Sequence, residues 1–213
     1  MNLPSSNFAL SIAHPGHELR LHGFLEQAKP FVFLLADGSG KDIPSLFAYA
    51  QNCIDNAIMN DLKLTVAESI SEKGRRILYI AQKVENSNQY IREEQIIYEI
   101  LGQHTGFFIF YINFLATNLI KWNIDSIVLD PREGFDVLHD MCSILTSIAV
   151  KVVKKTNGRK IKKYEYALCN KYENIGDDCI NFKLTDEAIN RKIKAIVNYH
   201  PSIYKELASM LGE

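Results

Sequence analysis

The sequence predicts a single α/β domain over residues 1–213, with three layers in which a mostly parallel sheet is flanked by helices on both faces. Two observations carry this prediction. Short apolar runs alternate with longer segments of helical spacing, so that run, helix, run and helix follow one another between residues 8 and 58. The apolar runs also lack polar alternation, which is typical of strands whose two faces are both covered.

The first part of the chain supplies two strand–helix units. "FALSIA" (8–13) is an apolar run ended by His-Pro-Gly, and it predicts a buried strand. Residues 17–28 carry apolar side chains near helical spacing and predict a helix. "PFVFLLAD" (30–37) predicts a second buried strand, and residues 44–58 predict a helix with Pro44 near its first turn.

The middle of the chain is less regular. Residues 62–70 and 75–84 can each form a strand. Residues 92–122 are predicted to be mostly helical, with a break near residues 102–106, where two glycines occur. "DSIVLD" (125–130) is again short and apolar, and it predicts a buried strand.

The last part repeats the alternation. A long helix is predicted over 137–155, a strand over 163–169 and a helix over 185–200, with Thr185 as its N-cap. Residues 201–213 predict a final short helix. Repeated units of this kind indicate an open, Rossmann-like sheet, in which ligands bind beyond the carboxyl ends of the strands.

Composition and charge exclude several classes of protein. The chain is 47% hydrophobic and 23% charged, as in an ordinary globular protein with a real core. Its 24 basic and 25 acidic side chains leave a net charge of -1, so nucleic acid and anionic membranes are not expected as main partners. The basic stretch 151–164 is interpreted as solvated surface, with a docking patch for an anionic ligand as the alternative.

Targeting signals and cysteine spacing point to a cytoplasmic protein. The four cysteines are widely spaced without a C-x-x-C pair, which argues against a zinc ribbon or a disulfide framework. No signal peptide is visible in the first residues. The most apolar window, 106–122, is interrupted by two asparagines and is shorter than the roughly 20 residues of a membrane span, so a buried helix is expected there. The sequence leaves open whether the protein forms a homo-oligomer.

Two histidines follow the first predicted strand. His14 and His17 lie three residues apart across a strand-to-helix turn, and both can face one point. A catalytic zinc ion needs about three protein ligands and an open position for water. His139 follows the strand 125–130 on the same predicted rim and is the best third ligand among the remaining histidines. The alternative is a turn with structural or capping histidines.

The order of three motifs resembles a known family. "SIAHPGHE" (11–18) resembles the "HPDDE" signature that follows the first strand in the PIG-L/LmbE-like N-deacetylases. "FLLADGSG" (33–40) resembles the second element of that family, and "DPREGFDVLHD" (130–140) resembles its late metal-binding motif, commonly His-Pro-Asp-His. The resemblance covers roughly residues 8–60 and 92–150.

The resemblance implies a zinc-dependent hydrolase that removes acetyl groups from amino sugars or related amines. The expected substrate is therefore a small amino-sugar-like molecule. The ligand positions of the family fall on His14, on His17 in place of an aspartate, and on His139. The glutamate of the signature falls on Glu18, which is expected to orient His14 or His17 by accepting an N–H hydrogen bond.

The chain departs from the family at the catalytic positions. The general base of the family falls on Gly16, which has no proton acceptor, and the histidine that stabilises the oxyanion falls on Asp136. The family's Arg-x-x-Glu after the second loop is also missing. Because loss of a general base costs about 10²–10⁴-fold in rate, three alternatives follow: Asp136 is the base, Asp37 is the base, or the protein binds metal and ligand without turnover.

The remaining candidate residues lie in the rim loops. Gly38 and Ser39, in the loop after the second strand, offer amides to an anion or to sugar hydroxyls. Arg132 and Glu133, after the strand 125–130, are placed to meet substrate, although both loops are also explained as plain turns. No G-x-G-x-x-G follows the first strand, so a dinucleotide enzyme is not expected.

Overall fold

The architecture was obtained from a computed structural model. The structure describes residues 7–39, 44–59, 79–80, 93–103, 105–167 and 179–201. The strands are β1 (Phe8–Ile12), β2 (Phe31–Leu34), β3 (Tyr79–Ile80), β4 (Ser126–Leu129) and β5 (Lys162–Glu165). The helices are α1 (His17–Arg20), α2 (His22–Ala28), α3 (Phe47–Met59), α4 (Glu93–Leu101), α5 (Thr105–Lys121), α6 (Val137–Asn157) and α7 (Asp186–Val197).

All five strands are parallel, in the order β3-β2-β1-β4-β5. The chain builds outward from β1 through β2 to β3, and then returns to place β4 on the other side of β1. This reversal is a topological switch point, where the loops after β1 and β4 diverge and leave a crevice for ligands. The predicted α/β class with a parallel sheet and flanking helices is confirmed.

The sheet is covered on both faces, as the unbroken apolar runs predicted. On one face, Ala9 and Ala13 of the β1 segment pack with α5 and α6. On the other, Phe8, Leu10 and Ile12 pack with α2 and α3. Leu10 and Ile12 are fully buried, and each contributes about 1.5–3 kcal/mol by leaving water.

Three predicted helices differ in detail from the structure, and the break predicted within 92–122 is confirmed. The helix expected over 17–28 is two helices, because the backbone at Leu21 (φ −95°, ψ 17°) leaves helical geometry between α1 and α2. The helix expected from residue 44 begins at Phe47, so Pro44 precedes it. The expected break within 92–122 lies between α4 and α5, at positive-φ Gln103.

The third difference concerns α5, which is only partly buried. Tyr111 and Leu115 lie in the core, whereas Ile109 and Phe110 are about half exposed. The prediction of a buried helix at 106–122 is therefore correct for one face only. Within the described ranges, no helix combines the length and apolar character that a membrane crossing needs.

Several other predictions find their places. Thr185 caps α7 by accepting a hydrogen bond from the Ala188 N–H, as predicted. Residues 162–165 form an exposed edge strand, shorter than the strand expected over 163–169. The strand expected over 62–70 lies outside the described residues, as do most of the strand expected over 75–84 and all but the first residue of the helix expected over 201–213.

Candidate metal centre

The structure brings the three predicted ligand histidines together at the switch point. His14 lies in the turn after β1, His17 is the first residue of α1, and His139 lies in the first turn of α6. One ring nitrogen from each lies within 4.8 Å of the other two. His17 and His139 are buried and His14 is half-buried, so solvent reaches the three histidines from the His14 side.

Local backbone chemistry sets the positions of these histidines. Gly16 has φ 113°, a conformation that side chains disfavour, and its N–H donates to the Glu18 carboxylate at 2.7 Å. This tight turn places His14 and His17 side by side. At the other loop, the Asp136 carboxylate caps α6 by accepting from the N–H groups of Leu138 (2.8 Å) and His139 (3.2 Å).

Each of the three rings has an acceptor for its Nδ1 hydrogen. His17 Nδ1 lies 3.0 Å from an Asp130 carboxylate oxygen, and His139 Nδ1 lies 3.0 Å from Glu133 Oε2. His14 Nδ1 lies 3.0 Å from the Pro15 carbonyl oxygen. Because these acceptors select the tautomer with hydrogen on Nδ1, the Nε2 atom of each neutral ring keeps its lone pair.

The chemistry of this donor set fits a metal ion. His14 Nε2 and His139 Nε2 are 3.1 Å apart, so two lone pairs face each other and repel unless positive charge lies between them. Two nitrogens bound to one tetrahedral zinc ion at about 2.0–2.1 Å stand about 3.3–3.4 Å apart. The observed separation is close to that value, and a divalent ion would be held by three imidazoles.

Burial favours the neutral form of His17. Burial lowers the pKa of His17, more than its hydrogen bond to Asp130 raises it. Burial alone would raise the pKa of Asp130, but the hydrogen bonds that it accepts from His17, the Tyr166 hydroxyl and the Ala13 N–H outweigh burial and the pKa is lowered. A neutral imidazole beside an ionised carboxylate is the state that binds a divalent metal.

Asp130 is the centre of that support. It is fully buried and accepts hydrogen bonds from the Ala13 N–H at 2.6 Å and from the Tyr166 hydroxyl. The Tyr166 hydroxyl also lies 2.7 Å from His17 Nδ1. Strands β1 and β4 and the segment after β5 therefore all contribute to the orientation of one histidine.

Comparison of the chain with protein-family models, curated proteins and solved structures found no match in any of the three. The candidate metal centre is therefore inferred from the geometry of its own residues alone. The PIG-L/LmbE-like resemblance stays a prediction from the three short motifs that carry it.

Of the predicted bases, Asp136 lies beside the Nε2 atom of the predicted ligand His139. Its Oδ1 caps the helix, and its Oδ2 lies 3.6 Å from His139 Nε2. Asp37 is instead occupied in its own turn, where Oδ1 accepts from the Ser39 N–H (3.0 Å) and the Ser39 hydroxyl (2.6 Å). The structure therefore gives Asp37 a turn-forming role.

The predicted role of Glu18 is wrong. Its carboxylate accepts hydrogen bonds from the Gly16 N–H and from the Tyr199 hydroxyl at 2.5 Å, and from neither histidine. Burial raises the pKa of Glu18, and the bond from Tyr199 opposes that rise. Glu18 therefore accepts from the backbone N–H of Gly16 within the tight turn. It supports this turn and does not contact the ligand histidines through a hydrogen bond.

The four predicted substrate contacts divide into two groups. Glu133 holds His139, so it supports a ligand rather than facing substrate. Arg132 is exposed at the rim, as expected of a residue that meets substrate. Gly38 and Ser39 are buried, and a Cβ on Gly38 would lie 3.1 Å from Pro15 Cδ, so this loop packs against the histidine turn.

Three residues that matter to the centre were not predicted as site residues. Asp130 was assigned only to the end of a strand, although a carboxylate at that point is a signal that it faces the rim. Tyr166 and Tyr199 lie 149 and 181 residues along the chain from their partners His17 and Glu18. Nothing local in the sequence marks such contacts.

Proposed function

We propose that this protein is a zinc-dependent hydrolase that removes an N-acyl group, most simply acetyl, from an amino sugar or a sugar-containing metabolite. His14, His17 and His139 hold the ion through Nε2. The observation that carries the proposal is the convergence of one ring nitrogen from each of three histidines whose Nδ1 atoms all lie beside an acceptor. Three imidazoles with an open fourth position form a ligand set typical of catalytic zinc.

The bound ion supplies a polarised amide carbonyl and an activated water. The residues of the chain orient its ligands and handle the proton. Asp130 and Glu133 keep the rings of His17 and His139 in one tautomer. Asp136 takes a proton through Oδ2, because Oδ1 accepts the hydrogen bonds of the helix cap while Oδ2 lies 3.6 Å from His139 Nε2 and the side chain is 34% exposed.

The choice of an amino-sugar substrate rests on the resemblance to the PIG-L/LmbE-like family, to which we assign the chain as part of this proposal. Arg132, exposed on the loop that carries Glu133 and Asp136, is the residue we place against the substrate. Its guanidinium offers several hydrogen-bond donors to sugar hydroxyls or to an anionic substituent.

A second candidate is a protein that binds metal and ligand without turnover. Gly16 favours it, because the position that carries the base in the family has only a backbone N–H, and Glu18 accepts that N–H. The two candidates share the metal centre and differ in the role of Asp136. They are separated by activity, not by metal content.

The metal is tested first, by elemental analysis of protein purified without added metal. We expect one equivalent of zinc, lost in His17→Ala and His139→Ala and retained in His200→Ala, which changes a histidine outside the group. Absence of zinc from the wild-type protein, together with no rise in melting temperature when zinc is added, would overturn the proposal.

Turnover is tested by acetate release from a panel of N-acetyl sugars. Asp136→Asn is the decisive variant, since asparagine caps helices as well as aspartate but is a poor proton acceptor. We expect zinc content to be kept and the rate to fall about 10²–10⁴-fold. Zinc-loaded protein that releases no acetate from any substrate favours the second candidate.

A further inference from the structure

The edge of the sheet formed by β5 is strongly basic. Six exposed lysines lie at the end of α6, in the loop that follows it and in β5, and together they form the basic edge: Lys151, Lys154, Lys155, Lys160, Lys162 and Lys163. We propose that the basic edge binds an extended, acidic segment of another protein, which adds a strand alongside β5. The proposal concerns a surface separate from the three histidines and does not depend on the hydrolase proposed above.

Positive charge is concentrated at the basic edge without an acidic counterpart. Residues 141–164 contain seven Lys and Arg side chains and no Asp or Glu, although the whole chain has a net charge of -1. Arg159 pairs with Asp125 at 3.1 Å, whereas none of the six lysines forms an ion pair with a described residue. A solvated surface normally mixes both signs, because like charges that lie close together repel. The basic edge therefore carries unbalanced charge that a partner can neutralise.

A contact between β5 and α6 brings lysines of both elements together. The Lys163 amine donates to the Ser147 hydroxyl at 3.1 Å, and Lys151 lies one helical turn further along α6. Lys154 and Lys155 follow in the last turn of α6, where they also complement the helix dipole. The dipole thus accounts for two of these lysines, but it does not account for Lys151 and Lys163.

The backbone of β5 offers hydrogen-bonding groups on its outer side. β5 is the last strand in the sheet order, next to β4. The Lys162 N–H donates to the Asp125 carbonyl oxygen at 2.9 Å, so the backbone groups of Lys162 and Tyr164 face β4. Because these groups alternate in direction along a strand, those of Lys163 and Glu165 face outward, and they have no backbone partner among the described residues. An added strand would pair with them.

Lysines on a sheet edge commonly prevent pairing with a second copy of the same strand. That role concerns Lys162 and Lys163, which lie in β5 itself. It does not explain the lysines of α6 and of the loop. Charges that repel a second copy of the basic edge attract a strand of opposite sign, so they select an acidic partner.

The side chains of the basic edge favour a protein partner over nucleic acid. Sites for nucleic acid commonly combine arginines, which bind phosphate through two hydrogen bonds, with aromatic rings on which bases stack. Here the six cations are lysines, and the ring of Tyr164 in β5 packs against Phe8, with centroids 6.4 Å apart. A lipid surface would neutralise the charges but would leave the outward backbone groups of β5 unpaired. Strand addition uses both features.

The test is a fluorescence anisotropy titration of the full chain with a labelled peptide of about ten residues in which threonine and glutamate alternate. We expect saturable binding that weakens as the salt concentration is raised. The same peptide methylated at every backbone nitrogen keeps its charge but has no N–H donors, and it should bind about tenfold more weakly. Failure of the first peptide to bind, or equal binding of the two peptides, would overturn the proposal.

Charge reversal locates the bound peptide. The double variant with Lys151→Glu and Lys163→Glu should bind about tenfold more weakly, because like charges then face the glutamates of the peptide. Lys194→Glu makes the same kind of change on α7 and should bind like the wild type. Undiminished binding by the double variant, once circular dichroism shows that it is folded, would contradict the proposal.

Amide hydrogen exchange of the wild-type protein, followed by NMR, tests the strand pairing without any variant. In the free protein the N–H groups of Lys162 and Tyr164 should exchange slowly, because they face β4, and those of Lys163 and Glu165 should exchange fast. The threonine–glutamate peptide should slow exchange at Lys163 and Glu165 about tenfold. The proposal is wrong if exchange there is not slowed, or is already slow before the peptide is added. It is also wrong if vesicles of phosphatidylserine and phosphatidylcholine, or duplex DNA, bind the protein more tightly than the peptide does.

Discussion

Replacement of Asp130 by asparagine should weaken metal binding strongly without changing any of the three ligands. The carboxylate is fully buried and accepts from the Ala13 N–H (2.6 Å), from His17 Nδ1 (3.0 Å) and from the Tyr166 hydroxyl. An asparagine has one acceptor oxygen for these three donors, and its NH₂ group faces at least one of them. The tautomer of His17 is then no longer selected.

The expected loss of zinc affinity follows from the loss of the hydrogen bond between Asp130 and His17 Nδ1. Hydrogen bonds to a charged group are worth about 1.5–3 kcal/mol, and loss of a carboxylate that supports a ligand histidine typically costs about 10–100-fold in metal affinity. The two figures agree, since tenfold corresponds to about 1.4 kcal/mol. We therefore expect the zinc Kd of Asp130→Asn to rise about 10–100-fold.

The assay is competition for zinc against a chromophoric chelator, with Asp125→Asn as the matched control. Asp125 precedes the same strand at its opposite end and pairs with Arg159 at 3.1 Å, so its replacement should leave zinc affinity unchanged. A folded Asp130→Asn protein whose zinc Kd stays within twofold of the wild type would show that Asp130 does not set the tautomer of His17 for metal binding.

Three further predictions concern stability. Gly16→Ala should cost about 1–3 kcal/mol in the free energy of unfolding because φ is 113° there, and equal stability in chemical denaturation would contradict this. Leu10→Ala should cost about 2–5 kcal/mol, measured in the same way, because it opens a cavity in a fully buried strand. Hydrogen bonds within the first turn of α7, from its backbone and from Thr185, lower the pKa of Glu187 below its ordinary 4.5. Its contribution to stability is thus present above pH 4.5 and is lost as the pH falls through the lowered value, so Glu187→Gln should reduce the melting temperature at pH 7 but not at pH 2, and an equal loss at both would be inconsistent.

Much of the fold followed from local sequence pattern. The apolar runs at 8–13, 30–37 and 125–130 predicted β1, β2 and β4, because strands that are buried on both faces consist mostly of apolar residues. The break at Leu21 was missed, since nothing in the side chains there opposes a continuous helix. Helix ends that carry a capping side chain were easier to predict, as the hydroxyl of Thr185 at the start of α7 shows.

The site was predictable where topology alone decides it. His14, His17 and His139 follow two strands whose carboxyl ends meet at one rim, so their convergence was expected. Their supports were not, because Tyr166 reaches His17 only through the placement of β5 beside β4. Glu18 was assigned to the histidines from the motif, but the strained turn at Gly16 places a backbone N–H nearer to it.

The most direct test of the metal centre is X-ray absorption at the zinc edge of the loaded protein. We expect nitrogen ligands at about 2.0–2.1 Å, with the outer-sphere scattering of three imidazoles and no sulfur. A zinc ion with sulfur ligands, or with fewer than three imidazoles, would contradict it, because the three histidines whose ring nitrogens converge here would then not be the ligands.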